Sequence, residues 1–77
     1  MILDKLKEIL KSVLSEDSVT DINSNTMLKD INGWDSIEHM YILTQIEKEF
    51  KIKFELSEIV SLKTIGELVK VIENKVK

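Results

Sequence analysis

The chain has 77 residues, a net charge of −3, two glycines, one histidine, and neither cysteine nor proline. That length holds one domain, and without cysteine neither a disulfide framework nor a thiolate metal site can staple it. The abundance of Leu, Ile, Lys and Glu with so few turn residues favours helices over a sandwich or barrel of short strands.

Two further classes fall away on the same grounds. No run approaches the ~18 apolar residues that span a bilayer, and the charged N-terminus has no apolar stretch of signal-peptide length. A soluble, cytoplasmic, monomeric protein without membrane partners is expected. The acidity is concentrated: residues 16–38 carry Glu16, Asp17, Asp21, Asp30, Asp35 and Glu38 against Lys29 alone. Basic partners suit that stretch. Nucleic acid does not suit the chain, because its basic residues are all lysines, scattered and outnumbered by acids.

In chain order, Ile2, Leu3, Leu6, Ile9, Leu10, Val13 and Leu14 recur at spacings of three and four, which predicts an amphipathic helix over 2–15. Glu16-Asp17-Ser18 ends it. Residues 16–34 form a long polar connection, to be pinned by Val19, Ile22, Met27, Leu28 and Ile31, with a short helical turn between Thr26 and Asp30. Asp21, Asn23 and Asn25 alternate as in a calcium-binding loop. Thr26 replaces the turn glycine, however, and Asn32 the bidentate glutamate, so Asx-turn chemistry explains them without a metal.

A second helix is predicted from Asp35 to about Lys51, with Asp35 as N-cap and Glu38 at capping-box spacing. At 3.6 residues per turn, His39, Ile42, Leu43, Ile46 and Phe50 share the core face. A second, partly apolar sector holds Ile37, Met40, Tyr41 and Thr44, edged by Glu47 and Lys48. A helix with one core face does not need this second one, so it is a candidate contact surface. Residues 52–55 alternate too briefly for a strand and read as an extended connector burying Ile52 or Phe54. Ser57 then caps a brief helix over 57–62 carrying Ile59 and Leu62. Thr64 and Glu67 form a further capping box opening a last helix with Ile65, Leu68, Val69, Ile72 and Val76.

Ser36 stands at the first helical position after the cap. By position alone it is equally a plain N1 residue or a functional hydroxyl. A serine enzyme is not expected: the sole histidine, His39, lies three residues on and about 60° round the helix, toward the core, while Ser36 projects from its end.

The whole order of elements, with Asp35-Ser36-Ile37 at the start of the second helix and Ile42, Leu43, Ile46, Glu47 and Phe50 downstream, resembles the acyl carrier protein family, including its peptidyl carrier domains. The resemblance covers nearly all of residues 1–77 and implies an all-α four-helix bundle: three longer helices, one short one, and a long loop after the first. It implies that Ser36 bears 4′-phosphopantetheine donated by coenzyme A, on whose thiol acyl groups ride as thioesters. The protein is then a carrier and not a catalyst, and its sulfur comes with the prosthetic group.

The implied partners are a phosphopantetheinyl transferase and acyl-loading and acyl-processing enzymes. Asp35 becomes both cap and transferase contact, and Ile37, Glu38, Met40, Tyr41, Thr44, Glu47 and Lys48 become the docking face. Trp34 and His39 are either side chains packed at the core edge, His39 hydrogen-bonded there, or the mouth of an acyl cleft beneath Ser36. The interior between the helices, lined by residues such as Leu6, Ile42, Ile46 and Ile72, is a candidate shelter for the chain. Ile37 stands for the family's usual leucine, and this second helix is less acidic than in fatty-acid carriers, which points away from a housekeeping fatty-acid member and to a carrier of a specialised pathway such as polyketide, peptide or surface-polymer assembly. Two alternatives stay open: a peptidyl or aminoacyl carrier, and an unmodified helical module docking through the Ile37–Tyr41 face.

Overall fold

In the computed structural model, which describes residues 2–14, 19 and 21–76, helix α1 spans Ile2–Val13 and a 3-10 turn spans Leu28–Asp30. Helices α2 (Ser36–Phe50), α3 (Leu56–Ser61) and α4 (Ile65–Val76) follow. Among the described residues the expected all-α bundle of three longer helices and one short one is present. The proposed stop at Glu16-Asp17-Ser18 lies outside the described residues.

The apolar stripes meet as their periodicity requires. Helix α1 packs on both α2 and α4. Leu6 and Leu10 from α1, Ile42, Leu43 and Ile46 from α2, and Ile65, Leu68 and Ile72 from α4 are all buried. Of the residues placed on the core face of the second helix, His39 and Phe50 are only half-buried, as is Ile59 of the short helix, and Val76 at the end of the last helix is exposed. The connector buries both Ile52 and Phe54 rather than one of them. Phe54 donates its amide to Glu47 Oε2 at 2.8 Å, and the left-handed Lys51 (φ 58°) turns the chain out of α2.

The long loop is held by its apolar anchors and by the start of α4. Val19, Ile22, Leu28 and Ile31 are buried, while Met27 is half-buried and bridges to Thr64. Leu28 N donates to Lys63 O at 2.8 Å, Ile65 N to Thr26 O at 3.0 Å, and Gly66 N to Ser24 O at 2.9 Å. Within the loop, Asn23 Oδ1 accepts from Asn25 N at 2.8 Å, which is the Asx turn expected of those residues.

Gly66 shows how close the loop and helix run. A Cβ there would lie 2.8 Å from Ser24 O, a backbone atom that cannot swing aside. Gly→Ala within a helix normally gains about 1 kcal/mol. Here Gly66→Ala is expected to lose about 1–3 kcal/mol through overpacking, a reversal of sign that urea denaturation reads directly.

The cap of α3 differs from expectation. Glu55, not Ser57, is its N-cap, and Glu55 and Glu58 form a reciprocal capping box, so the helix starts at Leu56. Ser57 has the better side chain for a cap, but the two glutamates satisfy two amides at once and win. Glu58 Oε1 also meets Lys75 Nζ at 2.9 Å. The Glu55 amide first, and the Lys75 ammonium next, hold the Glu58 carboxyl below the ordinary carboxylate range. No residue of α3 is buried, so polar links account for much of its attachment.

Candidate functional site

The site begins with a turn. Gly33 has φ +91°, a left-handed conformation that a side chain disfavours, and Trp34 N donates to Ile31 O at 3.0 Å. That turn buries the Trp34 indole and brings the chain extended into Asp35, whose Oδ1 accepts from Glu38 N at 2.8 Å. Asp35 is thus the N-cap that the sequence predicts, and its carbonyl takes the first helical amide, from His39, at 2.8 Å.

Ser36 follows at the first helical position and is exposed. Helix geometry leaves the leading amides without an intrahelical acceptor. Asp35 takes that of Glu38, and those of Ser36 and Ile37 have no acceptor among the described residues. The start of α4 is different: Thr26 O, Ser24 O and Thr64 Oγ1 accept from Ile65, Gly66 and Glu67 in turn. One helix start is closed by the protein, while the other keeps two donors and the positive end of its dipole beside a free hydroxyl.

Beside Ser36 lies an open groove of about 550 Å³. Trp34, Asp35, Ser36, His39 and Met40 form one side; Leu28 and Lys29 of the 3-10 turn, with Ile59, Val60 and Leu62 in and after α3, form the other. Such a mouth is one of the two placements the sequence leaves open for Trp34 and His39. It did not single out Lys29 or Val60. Val60, 72% exposed and next to the half-buried Ile59, is an apolar residue with no core to fill, and that surplus was its only signal.

His39 is held at both ends. Trp34 Nε1 lies 3.0 Å from its Nδ1, and the Ile59 carbonyl oxygen lies 2.9 Å from its Nε2. An indole N–H only donates, so Nδ1 accepts and Nε2 carries the proton given to Ile59. With both nitrogens engaged, the imidazole is not offered to Ser36 as a base.

The residues of the second sector occupy the outer face of α2. Ile37 is 79% exposed, and Met40, Tyr41, Thr44 and Lys48 are exposed around it. Glu38 is half-buried at the top of this face. Glu47, also half-buried, directs its carboxylate to the connector amide, so its placement separates it from the others.

The fit to phosphopantetheine rests on this geometry. An exposed hydroxyl, two free amides for a phosphodiester and a part-apolar groove for an arm stand together. The comparisons agree. Residues 4–72 match the family model described as a phosphopantetheine attachment site. The acyl carrier protein of Streptococcus thermophilus is 30% identical over 99% of this chain and 97% of its own length. That of Thermosynechococcus vestitus is 31% identical, covering 97% and 91%. The solution structure of the holo acyl carrier protein from Geobacter metallireducens superimposes with a TM-score of 0.83 at 37% identity, over 95% of this chain and 83% of that one. With the helical bundle, the open helix start and relatives matched along almost their whole length, the chain belongs to the acyl carrier protein family: it carries acyl groups on covalently bound 4′-phosphopantetheine and interacts with a phosphopantetheinyl transferase and with acyl-handling enzymes.

Proposed function

We propose that Ser36 is the residue that bears the prosthetic group. The observation that carries this is its free hydroxyl at a helix start whose Ser36 and Ile37 amides have no acceptor among the described residues, beside a groove. In the attachment step, Ser36 Oγ bonds to the phosphorus that coenzyme A presents. The phosphoanhydride bond to the nucleotide half breaks, and the serine proton passes to a base of the transferase. Once bound, the group supplies a thiol that takes acyl chains as thioesters.

The chain's own residues bind and orient. Asp35 fixes the first turn and so the direction of the Ser36 side chain. The Ser36 and Ile37 amides would hold the phosphodiester's negative charge, and Leu28, Met40 and Leu62 would offer apolar wall to the arm. Peptide mapping by tandem mass spectrometry after incubation with coenzyme A and a phosphopantetheinyl transferase tests the assignment. Modification on Ser12, Ser57 or Ser61 instead would overturn it.

Partners dock, on this reading, through the outer face of α2, with Ile37, Met40 and Tyr41 as apolar contacts, Thr44 and Lys48 at the rim, and Glu38 contributing charge. Glu47 is left to the connector. Exposed apolar side chains in place of a run of acids favour a dedicated partner set and a specialised pathway. Ile37→Ser is expected to change stability by no more than about 0.5 kcal/mol, as an exposed substitution. It lowers kcat/KM for loading by about fivefold or more, as loss of an apolar contact at the centre of an interface does. Steady-state loading kinetics check it, and an unchanged kcat/KM would remove Ile37 from the docking face.

A further inference from the structure

The groove beside Ser36 has His39 in its wall. One turn further along the same face of α2 are Ile42 and Leu43, fully buried with Ile46 and Ile72, and none of these four is among the groove's walls. Between groove and interior runs a seam of hydrogen bonds, Trp34 Nε1–H to His39 Nδ1 and His39 Nε2–H to Ile59 O. It joins the turn before α2 to a short helix that buries no residue of its own.

We propose that the Trp34–His39–Ile59 seam is a cargo-size gate, making this protein a carrier of short acyl chains held in the open groove. The proposal rests on attachment at Ser36. A chain long enough to reach Ile42 and Ile46 has to part α3 from α2. That breaks the His39–Ile59 bond and leaves an imidazole N–H and a carbonyl without partners against apolar side chains, an arrangement proteins avoid. A short chain reaches Met40, Ile59 and Leu62 without disturbing the seam. His39 thereby sets specificity without touching the reacting atoms.

The test loads the full chain with butyryl- or hexadecanoyl-coenzyme A through a phosphopantetheinyl transferase, with intact mass as the check on loading. Methyl NMR then compares groove residues (Leu28, Ile59, Leu62) with interior ones (Ile42, Ile46, Ile72). In the native chain both cargoes are expected to shift only the groove methyls. In His39→Ala the hexadecanoyl form alone is expected to shift the interior methyls, and His39→Gln, which restores a donor to Ile59, returns the native pattern. Loss of packing without a gate would alter both cargo forms alike. Interior shifts in the native chain on hexadecanoyl loading overturn the gate whatever the variants do, as does a folded His39→Ala protein whose interior methyls move with neither cargo. Absence of any mass gain overturns the attachment reading itself, and the gate with it.

Discussion

Ser36→Ala is expected to abolish phosphopantetheine attachment completely while leaving the fold as it is. The chemical loss is total because alanine has no oxygen to bond to phosphorus, and among the described residues the groove's walls contain no other Ser, Thr or Tyr. The structural loss is small because the Ser36 side chain makes no hydrogen bond among the described residues and is exposed. Alanine is also the best helix former, and Asp35 caps through Glu38 N, not through Ser36. Stability should change by no more than about 0.5 kcal/mol. Intact mass after incubation with coenzyme A and transferase reads the first claim and urea denaturation the second. A mass gain in the variant would show that another residue bears the group.

The parts of this site that were legible in the sequence are those encoded locally. Asp35 and Glu38 announce a helix start in four residues, and the spacing of Ile42, Leu43 and Ile46 says which way that helix faces. The surplus of Ile37, Met40 and Tyr41 is visible by subtraction from the core stripe. What was illegible joins residues far apart in the chain. His39 meets Ile59 twenty positions on through a backbone carbonyl, an acceptor every residue possesses and no residue type marks. The stitching of the loop to α4 is likewise backbone to backbone, and its trace in the sequence is a missing atom: the Cβ that Gly66 lacks where Ser24 O comes close. The cap of α3 was misplaced for a different reason. Local preference ranks Ser57 above Glu55, and only the reciprocal pairing of Glu55 with Glu58 reverses that ranking.

The helix start bearing Ser36 is a property of the folded chain, so a defect far from it should impair loading in a distinguishable way. Ile72, in α4, is fully buried and is not a wall of the groove. Ile72→Ala removes buried methyl and methylene groups and leaves a cavity, at a cost of about 2–5 kcal/mol. A chain of this length has a total stability of about 4–12 kcal/mol, so the variant gives up a large share of it. The melting temperature should fall by about 10–30 °C. Below its new midpoint the variant still presents Asp35-Ser36 as a capped turn and should load at close to the native rate. On warming through that midpoint, loading should decline in step with the unfolded fraction, because an unfolded chain offers neither the oriented hydroxyl nor the α2 face. Parallel melts by circular dichroism and loading assays at each temperature check this. Loading that persisted in the unfolded Ile72→Ala chain would mean that a transferase recognises the local Asp35-Ser36 sequence and needs no helix. Ser36→Ala, expected to be inert at every temperature while folded, separates the proposed attachment residue from the scaffold that presents it.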